Sequence, residues 1–250
     1  MIEKISNREL EKFSRQILIE DIGIKGQLKI FKSKILIIGC GGLGSVASTY
    51  LAMSGVKKMG LVDMDKVELS NISRQLLFYE SDVGKYKVDV LKEKLNRTNP
   101  ETGITTFKQK FSKKNSCEIL NGYKIILDCT DNFAAKYLIN DQCHKNRKIL
   151  ISAALFNFEL QLFAFKSWSK GLPCYRCIFP NKSRESANCS NMGILSTVAG
   201  IGGILQANLA LNIILHNSKK FYKNFYLFNA ISNENRLIRI DKDKKCRVCR

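Results

Sequence analysis

Four of the nine cysteines in this 250-residue chain fall in two C-x-x-C pairs, Cys174 with Cys177 (CYRC) and Cys246 with Cys249 (CRVC). Two such pairs supply four thiolates, the donor set of a tetrahedral zinc whose positions are all taken by protein. A closed zinc of that kind holds structure and does no catalysis; here it would pin the chain end to a distant loop. A second group suits different chemistry. Asn71, Arg74, Gln75, Lys85 and Lys87 lie close together in sequence, and Asp131 with Asn132 stands further along. Arg and Lys neutralise charge that builds on phosphate oxygens, and an aspartate such as Asp131 can hold Mg²⁺ among them. The set suits a nucleoside triphosphate. The only histidines, His144 and His216, sit in helical patterns, so general-base catalysis by histidine is not expected.

A phosphate must be held in front of those cations, and the stretch able to do so is 34–44, KILIIGCGGLG. A short apolar run, read as a buried parallel strand over 34–38, breaks into Gly39, Gly41 and Gly44 at G-x-G-x-x-G spacing and then into a helical pattern. Glycine permits the sharp turn and lets a phosphate approach backbone without meeting a Cβ. The N–H groups of the following helix then face that phosphate. Asp63 ends the next apolar run (MGLVD) about 20 residues on, where such sites place the acceptor for ribose hydroxyls. A glycine turn can also serve packing alone; strand, helix and distant acid together point to a nucleotide.

The remaining elements fit around this loop. Ser6 and Glu9 have capping-box spacing, so a helix starting near Asn7 should carry Arg15 near its end. A short helix over 24–31 precedes the first strand, and a second strand over 57–63 precedes a helix over 84–97, which Asn99-Pro100 stops. A strand over 104–108, a helix over 113–120 and the strand YKIILD follow. YKIILDCTDN ends in Asp128, Asp131 and Asn132, polar residues expected to face the ligand crevice. A helix (FAAKYLINDQCHKN) and two apolar runs (KILISAAL, ELQLFAFK) lead into a long loop over 167–193 that holds Cys174, Cys177 and Cys189. An apolar helix over 194–215, two strands (FYLFNAI, NRLIRID) and a charged tail over 242–250 complete the chain. Alternating strands and helices predict one α/β domain over 1–250, a Rossmann-like, mostly parallel sheet with crossover helices. Residues 1–33 form its helical extension, and the C-terminal strand pair is pinned by the zinc.

Composition narrows the class. MIEKISNREL has neither an apolar core nor a cleavage pattern, so no signal peptide or membrane anchor is expected. Gly200, Gly202, Gly203, Gln206, Asn208 and Asn212 interrupt the one apolar stretch long enough to span a bilayer, which suits a buried or subunit-interface helix better. Thiols without an export signal point to a reducing, cytoplasmic setting and argue against disulfides. Lys and Arg number 41 against 22 Asp and Glu, a net charge of +19 that would suit nucleic acid. The lysines are scattered and lysine, asparagine and isoleucine are abundant together, so compositional bias explains the charge better than a dedicated RNA face.

The ordered series SRQIL, GCGGLG, Asp63-Met64-Asp65, LSNISRQ, GKYKVD, DCTDN, CYRC, NCSNMGI and CRVC resembles the ThiF/MoeB/HesA family, bacterial relatives of ubiquitin-activating enzymes, over 13–249. The resemblance implies an enzyme that uses Mg-ATP to activate the C-terminal glycine of a ubiquitin-fold sulfur carrier (ThiS or MoaD type) as an acyl-adenylate, in thiamine or molybdopterin synthesis. It implies nucleotide contacts at Gly42, Asp63, Asn71, Arg74 and Lys87, with Asp65, Gln75 and Asn132 beside them. It also implies Mg²⁺ and catalytic duty at Asp131, and a homodimer in which Arg15 reaches the other subunit's phosphates. Cys189 falls where relatives carry a cysteine able to relay sulfur from a sulfurtransferase or cysteine desulfurase; the alternative is a spectator thiol. Cys40 in the glycine loop, where an aliphatic residue is common, and the high positive charge depart from the family. Three other readings stand beside this one. They are a tRNA threonylcarbamoyladenosine dehydratase-like enzyme, a non-catalytic zinc-bearing scaffold for a ubiquitin-fold partner, and the NAD dehydrogenase that the glycine motif alone would suggest.

Overall fold

The computed structural model describes residues 5–180 and 193–250. Its N-terminal part is helical: α1 (Asn7–Lys12), α2 (Ser14–Ile17) and α3 (Gly23–Lys32). The capping box forms as expected, with Ser6 Oγ accepting from the Glu9 N–H and Glu9 reaching back to the Ser6 N–H. The helix breaks at Phe13, however, so Arg15 lies on the separate turn α2.

Strand β1 (Lys34–Ile38) runs between two neighbours and is buried on both faces after Lys34. Ile35 and Ile37 enter one core layer and Leu36 and Ile38 the other, as a strand covered by helices on both sides requires. The chain continues through α4 (Gly42–Met53), β2 (Lys58–Val62), α5 (Lys87–Thr98) and β3 (Gly103–Phe107). It then crosses back through α6 (Ser116–Leu120) to β4 (Ile125–Asp128), on the other side of β1, before α7 (Phe133–Lys145) and β5 (Ile149–Phe156). These strands pair parallel in the order β3-β2-β1-β4-β5. Strand order reverses between β1 and β4, and a crevice opens outside their carboxyl ends at such a switch point.

Alternation of strand and helix ceases after β5. A tight turn with Asn157 in the left-handed region (φ 51°) leads straight into β6 (Glu159–Phe165), which therefore runs antiparallel. The segment expected as a long loop contains the short helix α8 (Tyr175–Ile178), and the apolar stretch is α9 (Ser196–His216). The last strands, β7 (Asn224–Asn229) and β8 (Glu234–Arg239), pair with each other as expected and extend the same sheet in antiparallel fashion. Among the described residues α9 is the one helix long and apolar enough to cross a membrane. Eight of its residues, including Val198, Gln206 and Ala210, are buried, and Gly202 and Gly203 let it lie against Leu43 and Val46 of α4.

A buried ion pair ties the carboxyl end of β4 to α7. Asp128 is fully buried and accepts from Lys136 Nζ at 3.1 Å, Ser152 Oγ at 2.6 Å, and the Thr130 N–H and hydroxyl at 3.0 and 2.6 Å. Lys136 also donates to the Ala153 carbonyl at 2.6 Å. Asp128 therefore organises the turn beneath the crevice and does not face it, contrary to the sequence expectation. Removing one partner of a buried pair leaves an uncompensated charge. Lys136→Met should lower unfolding free energy by about 3–5 kcal/mol, measured by urea titration; a loss below about 1 kcal/mol would show that Asp128 does not need this cation.

Candidate functional site

The cleft at the switch point has a volume of about 700 Å³, within the range of small-molecule sites. Its floor is the loop from β1 into α4. Gly39 has φ +93°, and a Cβ there would stand 2.7 Å from the Cys129 carbonyl oxygen, so no larger residue fits beside the end of β4. A Cβ on Gly44 would stand 2.0 Å from the Gly39 carbonyl oxygen. Gly44 therefore serves close helix-to-loop packing and does not line the cleft, whereas Gly39, Gly41 and Gly42 do. Helix α4 begins at Gly42 without a side-chain cap, leaving its first N–H groups to a ligand, where the helix dipole favours an anion.

Asp63 stands beside this loop. Its Oδ2 accepts from the Cys40 N–H at 2.7 Å and its Oδ1 from the Asp65 N–H at 2.9 Å. Burial pushes its pKa up; the two backbone donors and Lys87 act the other way. Each carboxylate oxygen has further acceptor capacity, as a pair of ribose hydroxyls would need. Asp65 lines the cleft and holds the buried Lys87 in place, with Oδ2 3.2 Å from Lys87 Nζ and its carbonyl accepting the Lys87 N–H. Asn71, also buried, shapes the turn before Arg74 by accepting the Glu68 N–H at 3.2 Å.

Three polar groups in the cleft are not consumed by the fold. Arg74 donates to the Ser70 carbonyl at 3.0 Å and makes no ion pair among the described residues. The Gln75 amide oxygen is buried without a partner among the described residues, an orphan acceptor in the cleft wall. Asp131 is exposed and accepts only from Asn132 Nδ2 at 3.3 Å among the described residues. Asn132 caps α7 through its Oδ1, which accepts the Ala135 N–H at 2.9 Å, so it fixes the turn that presents Asp131. The cleft thus opposes cationic groups and a helix N-terminus to a free carboxylate. Ala154, Leu155, Ile194 and Ala199 add apolar lining to the same cleft.

Not every expected residue arrives there. Lys85 pairs with Asp82 outside the cleft, and Arg15 is exposed on α2, away from this chain's own cleft. Cys189, with its neighbours Lys182 and Arg184, lies outside the described residues. Cys129 lines the cleft, but burial pushes its thiol up and Cys129 Sγ donates to Gln206 Oε1 at 3.1 Å. Sequence reasoning missed Lys136 and the buried Gln206, which donates to the carbonyls of Asp128 and Ile151 at 3.0 and 2.9 Å. Lys136 reads as a surface position in an amphipathic helix, and Gln206 as an interruption of an apolar one; neither pattern signals a partner.

The four cysteines of the paired motifs do converge, with every Sγ within 4.8 Å of the others. Cys174 lies 3.5 Å from Cys246 and 3.9 Å from Cys177, and Cys177 lies 3.4 Å from Cys249. Ligands about 2.3 Å from a tetrahedral zinc are about 3.8 Å apart, whereas a disulfide requires about 2.05 Å. Donor type, number and spacing fit a metal ion.

Comparison with known proteins agrees with this geometry. The chain is 38% identical over 251 residues to "Adenylyltransferase and sulfurtransferase MOCS3" of Aedes aegypti, covering 99% of this chain and 57% of the relative. It is 35% identical over 248 residues to the protein of that name from Danio rerio, covering 98% and 54%. The chain therefore spans little more than half the length of these relatives. Among solved structures, E. coli MccB with SeMet MccA superposes with a TM-score of 0.84 at 22% identity, covering 98% of this chain and 75% of that one. SeMet PaaA gives 0.82 at 22%, covering 96% and 86%. These two likenesses concern the fold. Residues 13–248 match the ThiF family, and the chain belongs to it.

Proposed function

We propose that this chain is an adenylyltransferase that uses ATP to activate the C-terminal glycine carboxylate of a ubiquitin-fold sulfur carrier as an acyl-adenylate. The observation that carries the reading is the uncommitted set in one cleft: Arg74, the uncapped α4 N-terminus and the free Asp131. The relatives named as adenylyltransferases support it. Asp63 would bind the ribose, while Gly41, Gly42 and the α4 N–H groups would receive the phosphates. Asp131 would hold Mg²⁺, which when bound would neutralise charge on the phosphate oxygens. The attacking carboxylate is ionised at pH 7, so no base is required. Catalysis reduces to aligning it on the α-phosphorus while Arg74 and Lys87 stabilise the departing pyrophosphate. The carrier's tail would lie along the apolar lining at Leu155 and Ile194, and a sulfurtransferase or cysteine desulfurase would supply sulfur in thiamine or molybdopterin synthesis.

A homodimer completes this reading. Arg15 is exposed on α2 beside Leu18 and Ile19, which are 75% and 53% exposed, an apolar surface suited to a second copy. There Arg15 would reach the second copy's phosphates. The cysteine cluster would hold structural zinc and tie the chain end to the loop that follows β6.

Three measurements test these assignments. Asp131→Ala should lower carrier-dependent ATP/pyrophosphate exchange by about 100-fold or more with the fold intact, and near-normal exchange would remove Asp131 from the mechanism. Mixing inactive Arg15→Ala with inactive Asp131→Ala subunits should restore about a quarter of wild-type activity after random exchange, because one site of each mixed dimer has both groups. No recovery after demonstrated exchange would refute action across the interface. Elemental analysis should find one zinc per chain, and Cys246→Ser should lose it with a lower Tm; a metal-free wild type of full stability would contradict the zinc assignment.

A further inference from the structure

Helix α7 is held from two sides by parts of the molecule that the chemistry treats separately. Ala134, Ala135, Lys136, Leu138 and Ile139 line the cleft. At about 100° per residue they occupy an arc of about 200° of the helix. The rest of the circumference carries Tyr137, Asn140 and Asp141, and the segment containing the first cysteine pair grips each of them. The Tyr175 N–H, between Cys174 and Cys177, donates to Asn140 Oδ1 at 2.9 Å in a buried contact. Arg176 makes a bidentate pair with Asp141, Nε to Oδ1 and an Nη to Oδ2, each at 2.8 Å. Its guanidinium also lies 4.5 Å from the centre of the Tyr137 ring, and the Tyr137 hydroxyl donates to the Phe179 carbonyl at 3.0 Å. Two cluster cysteines thus bracket the residues that hold α7, while the helix's other face is a wall of the cleft and its cap presents Asp131.

We infer that the thiolate cluster and the cleft are energetically linked through α7, with Asn140, Asp141 and Arg176 as positioning residues of the cleft wall. Metal at the four thiolates fixes the 174–177 turn and so the orientation of Tyr175 and Arg176. Without it the turn is free to relax, and the side of α7 facing the nucleotide loses its backing. Linkage between two binding events is reciprocal. A nucleotide that selects the ordered wall must therefore slow the loss of metal by the factor by which metal strengthens nucleotide binding, when rebinding is unaffected. Lys136 anchors the first turn of α7 to Asp128 independently, so the link concerns the orientation of the wall and not the existence of the helix.

The inference rests on the cleft binding a nucleotide, and the experiment separates the two claims. Zinc-loaded protein is mixed with a chromogenic chelator, with and without saturating α,β-methylene-ATP and Mg²⁺, and the rate of zinc release is read by absorbance. The nucleotide should slow release on the order of tenfold in the wild type. Arg176→Ala and Asp141→Asn should each retain one zinc per chain at the start yet lose most of this protection, and Arg176→Lys should restore part of it. Equal release rates with and without nucleotide in wild-type protein that binds the analogue would overturn the linkage and leave the proposed activity standing. Absence of analogue binding would overturn both. Should either variant fail to fold, the wild-type comparison and the other variant decide the matter.

Discussion

The cleft depends on how closely the backbone after β1 approaches the end of β4. Gly39 lies against the Cys129 carbonyl and Gly44 against Gly39, at separations no Cβ would allow. That approach leaves the N-terminus of α4 and the turn carrying Asp131 on opposite sides of one crevice. The parallel register carries it: Ile38 pairs with Asp128 in the last rung between β1 and β4, and the Cys129 N–H donates to the Ile38 carbonyl at 2.8 Å. A side chain at either glycine would move α4 relative to β4 and separate the groups that the proposed reaction needs together.

Around that contact the polar groups divide by whether the fold uses them. Asp128, Lys136, Ser152 and Gln206 are buried and mutually satisfied, as low-dielectric surroundings require. Arg74, Gln75 and Asp131 keep capacity to spare. The sequence neighbours Asp128 and Asp131 thus have opposite fates. One stabilises the turn, and the other is left in solvent at the end of a capped helix, where a divalent cation would meet it.

Much of this arrangement is legible in the sequence. The apolar run 34–38 and the following helix were read from periodicity, because a buried parallel strand and its crossover helix leave strong local patterns. The convergence of Cys174, Cys177, Cys246 and Cys249 was read from spacing, since ligand geometry constrains spacing within each pair. Less visible were features set by distant partners. Gly44 looked like a phosphate glycine and is a packing glycine, because only the Gly39 carbonyl distinguishes the two. The direction of the apolar run after β5 has no local signature, because it is set by the left-handed Asn157, which turns the chain back. Phe13 interrupts the first helix although Ser6 and Glu9 mark its start correctly, and this moves Arg15 onto its own turn.

The shortage of histidine acquires a physical meaning in this arrangement. His144 is engaged with Ser167 Oγ at 3.0 Å, and burial beside Lys242 holds its pKa below the usual imidazole range, so it is a largely neutral structural group at pH 7. The thiols of Cys40, buried in the core beneath the glycine loop, and Cys129, in the cleft wall, are pushed up by burial and stay protonated. What the cleft offers near neutrality is fixed positive charge, backbone N–H groups and carboxylates. That combination is matched to anionic oxygens. It suits a reaction whose nucleophile arrives already ionised and whose barrier lies in the charge gathered on a leaving polyphosphate. An acid end group attacking a nucleoside triphosphate has that character, because it needs no proton removed before it attacks.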